Sequence, residues 1–483
     1  MTAAATDGSY DVVVIGAGPV GENVADRAVQ GGLSAVVVED RLVGGECSYW
    51  ACMPSKALIR PGDVRRAALR VDGARQAVTG SLDVAAVLRR RNSFASDWDD
   101  SGQVEWLGSA GIDLVRGRGR LSGPREVTVT TSDGAERVLT ARHAVALCTG
   151  SSPVVPDVPG LRESGPWTNR EATEAQEVPG SLLVIGGGVV ACELAGVYAD
   201  LGATATMLVR SDLLGGYEPA AGELVGAALE ERGVDVRRGV SAAAVRAVDG
   251  GSEIECDDGR TVRAERILVA TGRRPQTEDV GLESVGLRGD RVAVDETMRV
   301  VDGDGAPVEW LYAVGDANGR SPVTHQGKYQ ARAAGDVIAA RAQGAAVDDS
   351  AWGVHAATAD HTAATQVVFT DPQVATVGLT AAAAEDAGLR VRVVDQDLGA
   401  VAGASVHADG YTGTARMVVD EDRRVVVGVT FVGQEVAELL HAASVAVVGE
   451  VPVDRLWHAV PAYPTMSEVW LRLLEAYGRP AAG

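Results

Sequence analysis

Cys47 and Cys52 stand five residues apart in Gly44-Gly-Glu-Cys47-Ser-Tyr-Trp-Ala-Cys52-Met-Pro-Ser-Lys56, where residue type and spacing together suggest chemistry. At an irregular helix start, two sulfurs so separated come within bonding distance, and helix N–H groups with a nearby ammonium lower a thiol pKa. The expectation is a reactive pair. Thiols that are buried and never bond are the reading for scattered cysteines. Cys148, Cys192 and Cys256 fit that description, falling by pattern in a strand, a helix and a polar hairpin, and are expected to be structural. Five cysteines are odd in number and too few for a secreted disulfide framework, so a close pair here is chemical. Only two of the 44 basic residues are lysines, Lys56 and Lys328. Arginine cannot replace a compact ammonium in a tight site, so Lys56 beside the cysteines is expected to have a specific task. Lys328 receives no assignment.

A second pattern occurs twice. A Val-rich strand, Asp11 to Ile15, runs into Gly16-Ala-Gly18-Pro-Val-Gly21 and a helical stretch, followed by a strand ending at Glu39. Glycines there permit a tight turn and bring a diphosphate to the N-terminus of the helix, while a carboxylate at the second strand end accepts ribose hydroxyls. Gly16, Gly18, Gly21, Glu39 and the neighbouring Asp40 are therefore candidate dinucleotide contacts. About 170 residues later the pattern recurs as Leu182 to Ile185, Gly186-Gly-Gly188-Val-Val-Ala191, a helix, and a strand from Thr204 to Val209. Its second strand is followed by Arg210, which pairs with a 2′-phosphate where an acid would repel it, so NADP(H) is favoured over NAD(H). Two strands end in Thr-Gly, at Thr149-Gly150 and Thr271-Gly272, where the backbone must turn beneath a ligand or another unit.

These residues need an α/β scaffold. The composition agrees, with 46% hydrophobic residues, few aromatics and 59 glycines. The expected fold is two nested Rossmann-type nucleotide-binding domains plus a C-terminal α+β dimerisation domain. Residues 1–155 and 273–350 would form the first domain, 156–272 the second and 351–483 the third. In the last, strands are expected at Thr365 to Phe369, Val391 to Val394, Ala415 to Val419 and Val425 to Phe431. A net charge of −22 repels phosphate backbones and anionic membranes, which excludes nucleic acid and membrane as partners and favours a small diffusible substrate. No apolar run reaches the roughly 18 residues of a spanning helix, and the start lacks a signal-peptide pattern, so the expected location is cytoplasmic. No metal-ligand spacing appears among the seven histidines.

Taken together, these motifs resemble the class I pyridine nucleotide-disulfide oxidoreductases, the family of dihydrolipoamide dehydrogenase, glutathione reductase and mercuric reductase. Further matches are Ala270-Thr-Gly-Arg-Arg-Pro275, Ala313-Val-Gly-Asp316-Ala, Phe369-Thr-Asp-Pro-Gln and Pro464-Thr-Met-Ser-Glu468. The resemblance implies FAD at the first glycine loop, with Asp316 on its ribityl or phosphate part, and NAD(P)H at the second. It implies electron flow from NAD(P)H through FAD to a redox-active Cys47–Cys52 disulfide, with Cys52 next to the flavin and Cys47 meeting substrate. It also implies Lys56 at the flavin edge paired with Glu193, and a homodimer whose active sites are shared across the interface.

The sequence departs from this family in three places. Where disulfide reductases carry a histidine five residues before the glutamate Glu468, this chain has Tyr463. A phenol is a poor base near neutral pH, and loss of a positioned base costs typically 10²–10⁴-fold. His458 is a weak substitute, since a histidine after Trp457 reads more readily as packed or exposed. The terminal cysteine pair of mercuric reductases has no counterpart in Gly478-Arg-Pro-Ala-Ala-Gly483. Between the thiols stand Tyr49 and Trp50, which either cover the disulfide, offer a stacking surface, or fill the core. The leading expectation is a homodimeric FAD enzyme reducing a small acceptor. Dihydrolipoamide dehydrogenase, a mercuric- or quinone-reductase-like enzyme, and a flavin redox sensor of low turnover are the alternatives.

Overall fold

The computed structural model describes residues 8–287 and 292–479, and the chain forms two compact units, each assembled from three stretches of sequence. The first comprises residues 1–53, 92–152 and 273–361. Valine-rich runs cannot sit half in water, and here they form a buried parallel sheet. Its strands, in spatial order, are Ile112–Arg116, Ala35–Glu39, Ser9–Ile15, Glu136–Leu147 and Pro307–Ala313, with Arg299–Val301 antiparallel at the edge. The hairpin Arg118–Gly123 and Glu126–Thr130 extends antiparallel from Glu136–Leu147. Helices Pro19–Gln30 and Thr324–Ala342 pack against each other, and Gly335 permits the approach, because a Cβ there would lie 2.5 Å from Arg27 Cβ. Val12, Val14, Val24, Val37 and Tyr312 are buried between sheet and helices.

The second unit comprises residues 54–91, 153–272 and 362–483. Its parallel sheet runs Asp235–Arg238, Thr204–Val209, Ser181–Ile185, Arg266–Val269, with helix Val189–Asp200 against it. A three-stranded antiparallel sheet, Ala242–Val248, Gly251–Cys256 and Thr261–Ala264, adjoins it. The C-terminal part is a five-stranded antiparallel sheet in the order Thr365–Val368, Gln373–Gly378, Val425–Gly433, Thr414–Asp420, Val391–Asp397. Helices Leu440–Val448 and Val469–Tyr477 accompany it.

The α/β class stands, with two corrections to the sequence reading. The C-terminal sheet has five strands, because Gln373–Gly378 pairs with both Thr365–Val368 and Val425–Gly433. Cys148 lies just past the end of Glu136–Leu147 rather than within a strand, its amide bonding to Ile15 O. Among the described residues no helix is long and apolar enough to cross a membrane.

Candidate functional site

In the first unit the chain leaves strand Ser9–Ile15 through Gly16 at φ +102°, where a Cβ would stand 2.4 Å from Cys148 O. A side chain at Gly21 would meet Gly16 O at 1.9 Å, so loop and helix close on each other only through glycine. Gly18 caps helix Pro19–Gln30, and proline occupies the first helical position, where its missing N–H costs nothing. A Cβ on Gly18 would find only Gly45 Cα, at 3.8 Å, which leaves the loop open on one side. Glu39 turns back to this loop and accepts Ala17 N at 2.8 Å and Arg41 N at 2.8 Å. Burial raises its carboxyl pKa against the effect of those amides. Asp40 is exposed, and its side chain lies against the Glu39 carboxyl, which it also raises.

At the end of Glu136–Leu147, the Thr149 hydroxyl is buried without a hydrogen-bond partner among the described residues, and Gly150 follows at φ +73°. An orphaned hydroxyl, an open glycine loop and a carboxylate at the neighbouring strand end are what a bound dinucleotide would satisfy, so these residues fit FAD. Asp316 accepts a hydrogen bond from Ser151 Oγ. Arg273 Nε donates to Ser151 Oγ at 2.8 Å, and the same guanidinium pairs with Glu46. Burial raises the Glu46 carboxyl, opposed by Arg273. Sequence reasoning missed Glu46, Ser151 and Arg273 as site residues. Their only signal was position, next to Cys47 and inside the Thr-Gly motifs.

Cys47 and Cys52 form a disulfide with Cα atoms 4.6 Å apart. The short helix Gly45–Tyr49 carries Cys47, and Cys52 begins helix Cys52–Leu69. Cys52 Sγ lies 3.4 Å from Thr324 Oγ1, at the start of Thr324–Ala342. Tyr49 is buried, and that burial pushes its phenol up to about 12; its ring stands 5.7 Å from that of half-buried Trp50. Of the three readings offered for this aromatic pair, Tyr49 takes the core-filling one.

In the second unit the same geometry repeats. Gly186 at φ +133° would, with a Cβ, stand 2.3 Å from Ala270 O, as Gly16 would from Cys148 O. Gly188 caps Val189–Asp200 with nothing within 4 Å of its missing side chain, and Gly272 at φ +128° is equally open. Arg210 follows strand Thr204–Val209, exposed and without an ion pair to any described residue. Glu193 is buried in the glycine-loop helix; it accepts Lys56 Nζ at 2.7 Å and Phe369 N at 2.8 Å. Lys56 Nζ also lies 4.9 Å from the centre of the Phe369 ring, held on two sides.

Tyr463 and Glu468 are not brought together. Tyr463 is 77% exposed. Glu468 is buried and spends its carboxylate on Arg472 at 2.7 Å and Ala402 N at 3.3 Å. His458 is exposed. Cys148, Cys192 and Cys256 are buried free thiols, and burial pushes Cys192 up to about 12. Among the described residues no three His, Cys, Asp or Glu side chains could hold a metal ion.

Residues 10–344 match the pyridine nucleotide-disulphide oxidoreductase family and residues 364–474 its dimerisation domain. The chain is 33% identical to mercuric reductase of Shigella flexneri, over 96% of its own length and 80% of that enzyme. It is 32% identical to dihydrolipoyl dehydrogenase of Synechocystis sp., over 98% of its length and 99% of that enzyme. Among solved structures it resembles LpdA of Mycobacterium tuberculosis, at 25% identity and TM-score 0.79, covering 96% of this chain and 98% of that one.

Proposed function

The chain belongs to the pyridine nucleotide-disulfide oxidoreductases, and we propose that within this family it is an NADPH-preferring homodimer that reduces a small acceptor other than lipoamide or glutathione disulfide. FAD, when bound, supplies the two-electron link between nicotinamide and disulfide. The net reaction consumes NADPH, a proton and the oxidised acceptor, and releases NADP⁺ and the acceptor carrying two electrons and two protons.

The chain's own residues divide the remaining work. Cys47 and Cys52 take up two electrons by breaking their bond, which leaves two sulfurs whose protons must be managed. Thr324 Oγ1, 3.4 Å from Cys52 Sγ, is placed to hydrogen-bond that sulfur once it is a thiolate. Arg273 ties Glu46, immediately before Cys47, to Ser151 and Asp316, and so fixes the helix bearing Cys47 against the strand ends that face the cofactor. Lys56 Nζ pairs at 2.7 Å with the buried carboxylate of Glu193, which ties the start of helix Cys52–Leu69 to the glycine-loop helix. The NADPH preference rests on Arg210, a guanidinium at the second strand end with no competing carboxylate bound to it. The cytoplasm is our assignment for the reaction, supported by three free buried thiols that persist where thiols stay reduced.

The observation that carries the acceptor reading is Tyr463. It occupies the position of the family's histidine, stands exposed, and receives nothing from Glu468, which Arg472 engages. In the homodimer we expect Tyr463 to face the partner's disulfide, where it donates a hydrogen bond but does not take a thiol proton near neutral pH. The test is stopped-flow flavin reduction by NADPH beside steady-state turnover with lipoamide, glutathione disulfide and a quinone. Fast flavin reduction with slow disulfide turnover supports the reading. Lipoamide turnover as fast as flavin reduction replaces it with dihydrolipoamide dehydrogenase, the second reading, which the near full-length match to that enzyme favours.

A further inference from the structure

Glu22 lies in the first turn of helix Pro19–Gln30, directly after Gly21 of the FAD loop, with its amide bonded to Gly18 O. It is 9% exposed, and its Oε1 is buried without a hydrogen-bond partner among the described residues. Side chains on a helix lean toward its N-terminus, which directs this carboxyl to the end where the diphosphate is held. An unmet buried carboxyl oxygen carries a desolvation cost that an apolar side chain would not, so a partner is missing from the chain itself.

The helix packs on Thr324–Ala342 and on the strands Ser9–Ile15, Ala35–Glu39, Ile112–Arg116 and Glu136–Leu147. From these elements and the helix Gly45–Tyr49, the charged or titratable groups that face Glu22 are Lys328, Glu39 and Tyr49. Farther along, Arg27 is occupied by Asp336. Lys328 is partly buried and forms no ion pair with any described residue, although it is one of only two lysines in the chain. Burial raises the Glu22 carboxyl to about 7, Lys328 lowers it and Glu39 raises it. A carboxylate at this place would repel the diphosphate, whereas a carboxylic acid donates a hydrogen bond to it.

We propose that Glu22 holds FAD as a protonated acid, so that FAD binding takes up a proton, and that Lys328 sets the pH at which this proton is lost. The inference rests on FAD occupying the first glycine loop. Binding of the anionic cofactor favours the neutral acid further, so the cofactor is retained most firmly below the free carboxyl's titration and is held less firmly as pH rises through it.

The test is the rate of FAD release from holoenzyme in fixed, sub-denaturing urea, read as the rise of flavin fluorescence between about pH 6 and 9. Release from the unaltered protein should accelerate about tenfold over this range, the effect of about one pKa unit of coupling. Glu22→Gln, which keeps shape and a donor but not the titration, should release FAD at a rate that scarcely changes with pH. Lys328→Met should retain the acceleration but move it to higher pH, since the ammonium no longer favours the carboxylate. A flat profile in flavin-loaded wild type, or an unchanged slope in Glu22→Gln, overturns the inference and leaves the FAD assignment standing. Wild-type protein isolated without flavin overturns both.

Discussion

The two carboxylate oxygens of Glu193 are taken by the Lys56 ammonium and the Phe369 amide, so Lys56→Met strands a buried charge. Urea unfolding should show a loss of about 1–3 kcal/mol, and no loss would mean that water replaces the ammonium. Arg210 has the opposite character, exposed and with no ion pair among the described residues, so Arg210→Glu should leave stability unchanged and act on cofactor choice alone. With a charge-assisted contact to a 2′-phosphate worth about 1.5–3 kcal/mol, kcat/KM for NADPH should fall by one to two orders of magnitude while that for NADH holds. An unchanged NADPH/NADH ratio would remove Arg210 from the site. The Lys56–Glu193 pair was anticipated through the family resemblance, and the residues alone offered only the scarcity of lysine, which marked Lys56 but named no partner. Glu46, Ser151, Arg273 and Glu22 were not. A glutamate before a cysteine and one more arginine in an arginine-rich chain carry no spacing signal, and their roles arise from contacts between residues as far apart as 46 and 273.

Corresponding glycines of the two loops meet alike, Gly16 and Gly186 a carbonyl oxygen and Gly18 and Gly188 nearly open space, so the loops are told apart by substituting a closed glycine in one and an open glycine in the other. Gly21→Ala drives a Cβ into Gly16 O, so loop and helix must part and the protein should lose FAD, checked as flavin absorbance per protein. Gly188→Ala meets nothing within 4 Å, so the protein should fold and keep its FAD, with KM for NADPH raised about tenfold because the methyl stands where the diphosphate must approach. Equal FAD loss in both would contradict the assignment of one cofactor to each loop. These units were readable because buried parallel strands, glycine turns and helices follow one another in a fixed order. Strand Gln373–Gly378 escaped because it is a short run with Gln, Ala and Thr, enclosed by Pro372 and a glycine, and only pairing on both edges makes it a strand. Cys256, expected in a polar hairpin, ends the middle strand of the three-stranded sheet Ala242–Val248, Gly251–Cys256, Thr261–Ala264.

At the scale of the molecule, the residues that match the dimerisation domain include Val445, Val460 and Tyr463, 56%, 85% and 77% exposed, side chains that a second copy is expected to cover. Val460→Asp should shift the protein from dimer to monomer in sedimentation, leaving flavin reduction by NADPH intact and lowering acceptor turnover at least about tenfold. Full turnover by a monomer would show that the site is complete within one chain. With a net charge of −22 on each chain, the dimer should also tighten from low salt to about 0.15 M, where the Debye length falls to ~8 Å. The α/β class was legible from composition and motif order, whereas the acceptor is not, since no motif or spacing in the sequence names the molecule that meets Cys47. If Cys47 and Cys52 store electrons beside FAD, an anaerobic dithionite titration counts those electrons directly. A disulfide and a flavin each take up two, so wild type should require about two equivalents per FAD for complete bleaching, and Cys47→Ser or Cys52→Ser about one. Complete bleaching of the wild type by a single equivalent would mean that the disulfide stores no electrons.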